Sequence, residues 1–205
     1  MYFISLKCYS LFMLAFTLPS SETLEAFLAG QAALKLTYEP IGIVDSGAPA
    51  GFVSDGMRVK LGRGEAVFSA ACEAVRSWKM FPAAWMRIAP ADAPIEVGRN
   101  VAVLSRVLGV WWFNACRIVS TIDERHATPI RRFGFVYGTL PAHLERGEER
   151  FLIEWDADEN VWYDLRAISR PRSWIARLGY PFTRLVQSQF RKASAQSMLA
   201  AVKSP

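Results

Sequence analysis

Between residues 101 and 169 the chain carries a series of segments with the composition and alternation of β-strands. They span residues 101–107, 113–122, 133–140, 149–155 and 161–169. β-Branched and aromatic residues dominate them, and side chains two apart share a character, which is typical of strands with one face on a core. Residues 84–88 alternate in the same way, whereas residues 45–56, rich in Gly, Pro, Ser and Asp, are expected to form a surface loop. Because sequential strands with short connections pair antiparallel, we predict an antiparallel sheet of about six strands.

Helical periodicity lies on both sides of these strands. Residues 22–34 follow Ser20 and Ser21, either of which suits a helix N-cap, and residues 66–80 repeat apolar residues at intervals of three or four. A last amphipathic segment covers about residues 182–202. Since an amphipathic helix has to bury its apolar stripe, we predict an α+β fold with two N-terminal helices and a sheet packed on a long C-terminal helix. This order is similar to the helix-grip architecture of lipid-transfer and pollen-allergen-like domains, an analogy that carries no function by itself.

The size and composition of the chain fit one domain. With 205 residues, 52% of them hydrophobic, it can build a substantial core and is unlike disordered sequences. We expect residues 14–205 to form a single α+β domain and residues 1–13 to be an apolar extension that precedes the natural start. A signal peptide is the next interpretation, although residues 16–20 lack a small-x-small cleavage site. A membrane anchor comes last, because the apolar run at 11–18 is shorter than the about 20 residues that span a bilayer.

Cysteine usage bears on the compartment. Cys8, Cys72 and Cys116 lie far apart in apolar surroundings and include no C-x-x-C pair. Their odd number and spacing disfavour both a disulfide framework and a zinc site. Buried free thiols in a reducing compartment explain the pattern, so we expect a cytoplasmic protein.

Positive charge is concentrated near the C-terminal end of the sequence. Residues 165–205 hold eight Lys and Arg and no Asp or Glu, while the whole chain has a net charge of +5. Such a segment favours a phosphate-bearing partner or an anionic membrane surface, or else forms the solvated face of a helix. Nucleic acid is disfavoured as a partner, because the aromatic residues fall within apolar strands rather than between exposed basic residues.

The stretch from Tyr137 to Phe151, Y-G-T-L-P-A-H-L-E-R-G-E-E-R-F, joins two predicted strands and is dense in ionisable groups. A long connection of this kind often carries function, since loops hold many binding and catalytic residues. The stretch resembles the signature of a family of small bacterial and plant proteins, domain of unknown function nineteen-ninety (DUF1990). Further matching blocks are residues 61–65, 74–81, 94–98, 114–117, 161–164 and 169–171. Ala142 stands where that family usually shows Gly, and the resemblance implies no activity, ligand or cofactor.

Acid–base chemistry is one hypothesis for this stretch. His143 would titrate near neutrality, with Glu145 or Glu148 orienting it, which makes these three residues the candidate catalytic groups. The alternative is a hairpin held by internal hydrogen bonds and by ion pairs between its glutamates and nearby arginines. The charged residues concerned are Glu148, Glu149, Arg146, Arg150 and Arg170. The spacing of the histidine and the glutamates matches no standard metal motif, so we predict no metal site.

The aromatic content favours a binding function. The chain has 7 Trp and 13 Phe, many of them on predicted strands, and a curved sheet gripping a helix often leaves an apolar cavity with a few polar groups. The same residues also suit ordinary core packing. We therefore predict a site for a small hydrophobic or amphipathic ligand, with an enzyme, or a peripheral membrane protein that docks through its basic C-terminal helix, as alternatives. The predicted ligand-binding residues are Tyr137, Thr139, His143, Glu145, Glu148, Arg150 and Trp162.

Overall fold

The computed structural model of the chain describes residues 13–172 and 180–203. The strands of this part are β1 (Met13–Ala15), β2 (Val53–Arg63), β3 (Met86–Ala89), β4 (Asn100–Val107), β5 (Val110–Glu124), β6 (Arg131–Thr139), β7 (Glu145–Trp155) and β8 (Asn160–Pro171). The helices are α1 (Ser21–Gln31), α2 (Ile43–Ser46), α3 (Gly64–Arg76) and α4 (Tyr180–Ala201). Within the described ranges, none of the helices combines the length and the apolar content needed to cross a bilayer.

All these strands belong to one antiparallel sheet. Its order is β2-β8-β7-β6-β5-β4-β3, and β1 pairs with the beginning of β5. The predicted α+β class, the antiparallel sheet, the two N-terminal helices and the long C-terminal helix are therefore confirmed. The strand count is higher than predicted, eight instead of about six.

The two unpredicted strands are β1 and β2. β2 begins inside the predicted surface loop of residues 45–56. It pairs with β8 from Val53 to Arg63. Asp55 and Gly56 have low intrinsic preference for strands, but pairing with a neighbouring strand outweighs that weak preference. The first two residues of the same predicted loop are the end of the short helix α2.

The connection between β6 and β7 is much shorter than predicted. β6 ends at Thr139 and β7 begins at Glu145, so residues 140–144 alone join them. Residues 145–149 pair with β8 on one side, and from Glu148 onward β7 also pairs with β6. The glutamates of this stretch therefore stand on a central strand of the sheet, and the prediction of a long, loop-borne cluster is wrong.

Local signals at the helix starts agree with the structure. Ser20 caps α1, its Oγ accepting a hydrogen bond from the Thr23 N–H at 3.3 Å. α3 follows β2 directly through Gly64, whose φ of +81° is a conformation that glycine adopts without steric cost. Glu65 lies in the first turn of α3, where the helix dipole favours a carboxylate. The sequence also predicts helix from Pro171 onward, but residues 173–179 lie outside the described ones.

The two sides of the sheet carry different helices. We call the side that packs on α3 and α4 the inner face, and the side that carries α1 and α2 the outer face. The inner face holds the larger core, which includes Phe68, Val75, Trp78, Phe135, Phe151, Ile153, Tyr163, Leu165, Phe190 and Met198. On the outer face, Phe27 of α1 packs against Phe113, and Ile43 of α2 packs against Ile168.

The thiols fit the expectation drawn from the sequence. Cys72 and Cys116 are free and buried, while Cys8 lies outside the described residues. Burial raises the pKa of Cys72 to about 12 and that of Cys116 well above its ordinary value. Both thiols are therefore protonated at neutral pH and are not nucleophiles.

Candidate functional site

The alternation of β7 separates its charged residues into two groups. Glu145 and Glu149 have the same parity as Phe151 and Ile153, which belong to the inner core. Glu148 and Arg150 have the opposite parity and lie on the outer face. Because side chains alternate strictly along a strand, the predicted cluster of glutamates is divided between the two sides of the sheet.

Glu149 lies opposite Tyr137 on the neighbouring strand β6. The Tyr137 hydroxyl donates a hydrogen bond to Oε2 of Glu149. Burial raises the pKa of Glu149 to about 7, and the nearby charge of Glu145 adds to this, while the bond from Tyr137 and the charge of Arg191 oppose it. The pKa of Tyr137 is also raised well above its ordinary value, chiefly by burial. Glu149 therefore exchanges its proton near neutral pH.

Glu145 connects the sheet to α4. Its Oε2 accepts hydrogen bonds from Ser169 Oγ at 2.5 Å and from Gln187 Nε2 at 2.7 Å. Its Oε1 is buried and has no hydrogen-bond partner in the part of the chain that the structure describes. Only 6% of Glu145 is exposed, and burial raises the pKa of its carboxyl group despite the two donors. An unpartnered buried carboxylate oxygen is costly, so this atom is where a further donor would stabilise the protein most.

These residues form one cluster. The inner polar cluster comprises two hydrogen-bonded groups, Tyr137 with Glu149, and Ser169 and Gln187 with Glu145. The charge of Glu145 acts on Glu149 and so links the two groups. Among the described residues, no Lys or Arg forms an ion pair with either of its two glutamates. Aromatic rings adjoin it: Phe151 lies 5.5 Å from Tyr137 between ring centroids, and Phe81 stacks on Phe190 of α4 at 5.5 Å. The cluster is thus a polar spot at the border of an aromatic core.

The neighbouring charges on the inner face are paired with each other. Asp55 of β2 binds Arg184 of α4, with Nη2 to Oδ1 at 2.7 Å, and Arg191 lies 3.6 Å from the same carboxylate. The hydrogen bond from Arg184 is the main cause that lowers the pKa of Asp55. Two arginines of the C-terminal helix are thereby directed toward the sheet. The basic face predicted for membrane docking stays a prediction, with these two side chains committed elsewhere.

His143 lies in the connection between β6 and β7. Its Nδ1 accepts a hydrogen bond from the backbone N–H of Glu145 at 3.0 Å, so the ring is neutral there and carries its proton on Nε2. Burial lowers the pKa of His143 to about 4, and the charge of Arg172 lowers it further, against that hydrogen bond. In the described part of the chain, no hydrogen bond joins the imidazole to the carboxylate of Glu145 or Glu148. The predicted acid–base pair is not assembled.

The carboxylate of Glu148 is held on the outer face by hydrogen bonds from three donors of the protein. One oxygen accepts from the Tyr38 hydroxyl and the Gly42 N–H, both at 2.7 Å, and the other accepts from the Val44 N–H at 3.0 Å. The residue is 2% exposed. Its carboxylate therefore fastens residues 38–44, including the start of α2, to the sheet.

Three other predicted site residues also have partners within the protein. Arg150 binds Asp45 and Asp164, and Trp162 donates from Nε1 to Asp156 at 2.8 Å. Thr139 accepts from the Gly147 N–H at 3.0 Å. Of the seven predicted ligand-binding residues, the structure brings Tyr137 and Glu145 into the inner cluster. It places Glu148, Arg150 and Trp162 on the outer face. Thr139 is the last residue of β6, and His143 lies in the connection from β6 to β7.

The internal ion pairs considered as an alternative for the hairpin are also different. Glu148 and Glu149 bind hydroxyl and amide donors rather than arginines. Arg150 pairs with aspartates instead. Among the described residues, the internal hydrogen bonds of that alternative are therefore present, whereas its glutamate–arginine ion pairs are not.

The inner cluster includes residues that the sequence did not single out as ligand contacts. Glu149 was recognisable, because a glutamate in phase with Phe151 and Ile153 is a charged residue on an apolar strand face. Ser169 and Gln187 were not, since a Ser and a Gln in amphipathic segments are common surface residues. Over the ranges that the structure describes, no group of three or more His, Cys, Asp and Glu residues converges in a way that could hold a metal ion.

A cavity of about 350 Å³ lies elsewhere, between α3 and the connection from β5 to β6. Its charged lining is largely self-paired: Arg76 lies 3.5 Å from Glu73, and Arg131 lies 3.6 Å from Glu65. These carboxylates are well exposed, so water already solvates them. The inner polar cluster, with desolvated groups, is the stronger candidate site.

Comparison with known proteins identifies relatives by sequence. Residues 37–197 match the model of a family described as Domain of unknown function (DUF1990). A UPF0548 protein of Dictyostelium discoideum is 37% identical over 158 residues, which covers 74% of this chain and 73% of the relative. A UPF0548 protein of Arabidopsis thaliana is 31% identical over 150 residues, covering 73% of each.

A solved structure supports the fold. A hypothetical protein from Helicobacter pylori superposes with a TM-score of 0.51 at 11% sequence identity, covering 82% of this chain and 96% of that one. At this identity the likeness concerns the fold alone. It agrees with the α+β architecture described above.

Proposed function

This chain belongs to the DUF1990 family, and we propose that it binds a small amphipathic ligand between the inner face of its sheet and helix α4. The polar end of the ligand would meet Glu145 and Glu149, and its apolar body would lie against the aromatic side chains. One observation carries the proposal: the two glutamates are desolvated and face the helix, and among the described residues they lack an ion pair and Oε1 of Glu145 lacks a hydrogen-bond partner. Buried polar groups are normally satisfied, so a ligand donor placed at this oxygen would be stabilising.

The chemistry of the cluster selects the kind of ligand. Carboxylates accept hydrogen bonds, and the donors already present are hydroxyl and amide groups from Tyr137, Ser169 and Gln187. A ligand that completes the set would therefore carry a hydroxyl or an amine. Ligand pockets are mostly apolar with a few placed polar groups, which is the composition of this part of the core.

A displacement assay tests the proposal. The neutral dye Nile red would be bound to the protein and displaced by dodecylamine, dodecanol or dodecanoate, which share one apolar chain and differ at the polar end. We expect the amine and the alcohol to displace the dye at concentrations about tenfold or more below dodecanoate, whose charge repels the glutamates. Equal displacement by all three, or none, would count against the site.

Matched variants locate the effect. Glu145→Gln combined with Glu149→Gln keeps the shape of both side chains but removes their charge, and should abolish the preference for the amine over dodecanoate. Glu154→Gln, on the same strand but in ion pairs with Arg58 and Arg132, should leave the preference unchanged. If the control variant loses the preference as well, the inner cluster is not its source.

A second candidate function is proton transfer by Glu149. The observation that favours it is a pKa of about 7 on a half-buried carboxyl group that is hydrogen-bonded to Tyr137. A general acid–base group works best when its pKa is near the working pH. Incubating the protein with a small-molecule extract of its host and following the metabolites by mass spectrometry tests this. Consumption of a compound by the wild type but not by Glu149→Gln supports it, and no difference between the two contradicts it.

A further inference from the structure

We propose that a second site binds the phosphate group of a small organic phosphate through Arg146, Arg170 and Arg172. It lies on the outer face, at the open end of the β7–β8 hairpin, where β7 begins and β8 ends. This site is on the opposite side of the sheet from the inner polar cluster. It stands independently of the proposed ligand site.

The backbone brings the three arginines together. Arg146 of β7 and Arg170 of β8 are directly opposite each other in the antiparallel register. Side chains at such positions have Cβ atoms about 4.5–5.5 Å apart, and like charges there are destabilising. Arg172 follows two residues after Arg170, and its backbone is fixed to the hairpin, because its N–H donates to Leu144 O at 3.2 Å and its carbonyl accepts from Arg146 Nη2 at 3.5 Å.

No carboxylate balances this charge. Within residues 13–172 and 180–203, the ion pairs involve none of the three arginines. The segments 1–12 and 173–179 contain no Asp or Glu in the sequence. Glu148, on the same face, already has both oxygens occupied by three donors. By contrast, Arg150 on the same strand has two aspartates as partners.

The arginines are partly desolvated and partly held in place. The Nε of Arg146 is buried and has no hydrogen-bond partner within residues 13–172 and 180–203. Burial lowers the pKa of Arg146, and the charges of Arg170 and Arg172 lower it further. The guanidinium of Arg170 lies over the ring of Phe52, 4.7 Å from its centroid, which fixes its plane. Arginine stays protonated at neutral pH, so the three side chains present a fixed triple positive charge.

The loop that adjoins the arginines consists of small residues. Residues 46–51 read S-G-A-P-A-G, and a Cβ at Gly51 would lie 3.6 Å from Nη1 of Arg170. Large side chains are therefore absent from the loop beside the cluster. All three arginines are half-buried rather than enclosed.

Phosphate is the anion that fits best. Guanidinium groups bind phosphate through paired, charge-assisted hydrogen bonds, and several arginines around one group are a recurrent way to recognise it. A phosphate dianion would supply the missing counter-charge for Arg146 and Arg170 and give the free Nε a partner. A carboxylate carries half that charge and would compensate less.

Calorimetric titration of the purified full-length chain with inorganic phosphate and pyrophosphate tests the proposal. We expect both to bind the wild type, pyrophosphate more tightly, and to bind Arg170→Gln about tenfold or more weakly, since a charged hydrogen-bond pair is lost. Arg166→Gln is the matched control, because Arg166 is on the same face of β8 but is exposed and opposite the paired Arg150. It should bind within twofold of the wild type.

Sedimentation with phosphatidylcholine vesicles, with and without phosphatidic acid, distinguishes a soluble phosphate compound from a lipid headgroup. Binding only to vesicles with phosphatidic acid, lost in Arg170→Gln and kept in Arg166→Gln, would assign the phosphate to a lipid. If Arg170→Gln does not fold, Arg172→Gln, beyond the end of β8, gives the same readout. No binding of any probe to the wild type, or equal weakening in Arg166→Gln, would overturn the proposal.

Discussion

Burial shifts the pKa values of Glu149 and His143 in opposite directions. It disfavours the charged form of each group, which is the carboxylate of Glu149 and the imidazolium of His143. The pKa of Glu149 therefore rises to about 7 and that of His143 falls to about 4. At neutral pH the histidine is uncharged, and the glutamate, rather than the histidine, is the group that titrates. The group whose pKa lies near neutrality is therefore Glu149 on β7, and not His143 in the connection before that strand, as the sequence predicted.

Replacing Glu149 by Gln should change how stability depends on pH. A raised pKa means that the folded state holds a proton that the unfolded state releases, so this contribution is present below about pH 4.5 and is lost as pH rises through about 7. We expect Glu149→Gln to be more stable than the wild type at pH 8, by on the order of 3 kcal/mol, and close to it at pH 4. Both proteins keep His143, so their difference isolates Glu149.

Urea unfolding at pH 4, 6 and 8 measures this difference. Glu154→Gln provides the opposite sign: burial alone would raise the pKa of Glu154, but hydrogen bonds from Arg58 and Arg132 lower it. The contribution of Glu154 is therefore present at neutral pH and lost as pH falls, so this variant should be less stable at pH 8. A constant offset between Glu149→Gln and the wild type at every pH would contradict the assignment.

At the scale of single residues, the sequence predicted some features and not others. The face of Glu149 follows from its phase with Phe151. The partners of Glu148 do not follow, because Tyr38, Gly42 and Val44 are 110, 106 and 104 positions away and only the fold brings them close. Alternation shows which side of a strand a residue occupies but not what it meets there.

Among the elements, β7 organises both faces. Its misplaced start in the sequence prediction has a clear cause, since E-R-G-E-E offers few residues with a preference for strands. Gly147 permits the pairing: a Cβ there would lie 1.9 Å from the carbonyl oxygen of Ile168 on β8. Its φ of +149° is also a backbone conformation that other residues rarely adopt. The glycine that made the stretch look like a loop is therefore required by the strand.

Gly147→Ala should destabilise the hairpin strongly, because the added methyl group meets backbone that cannot rotate away. We expect a loss of about 3 kcal/mol or more in the free energy of unfolding, measured in urea. Gly56→Ala is the control, since its Cβ would lie 3.2 Å from Leu165 O, a much milder contact. A loss no larger than that of the control would show that the backbone of β8 does not approach Gly147 as closely as in this structure.

Glu148 links β7 to α2 and should act locally. Glu148→Gln removes the charge that three donors share, and we expect a loss of about 2–4 kcal/mol. Hydrogen exchange of the Gly42 and Val44 amides should accelerate more than that of the sheet. Glu154→Gln, on the same face of β7, should not accelerate these two amides selectively. Unchanged exchange at Gly42 and Val44 would mean that the carboxylate does not hold the segment.

For the whole molecule, the local sequence pattern predicted the class of the fold but not the long-range pairing of β2 with β8. The order of β3 to β8 follows from short connections, which make sequential strands neighbours. The pairing of β2 with β8 joins segments about a hundred residues apart, and no local signal specifies it. This pairing places Asp55 beside α4, where it binds Arg184, and so positions the helix over the inner polar cluster.

Native mass spectrometry of the protein purified from its own host tests the proposed function most directly. We expect a stoichiometric small molecule with a hydroxyl or amine group, released on gentle denaturation. It should be absent from the double variant Glu145→Gln, Glu149→Gln and retained by Glu154→Gln. A wild type that shows the mass of the chain alone, both as purified and after incubation with dodecylamine or dodecanol, would contradict a binding site between the sheet and α4.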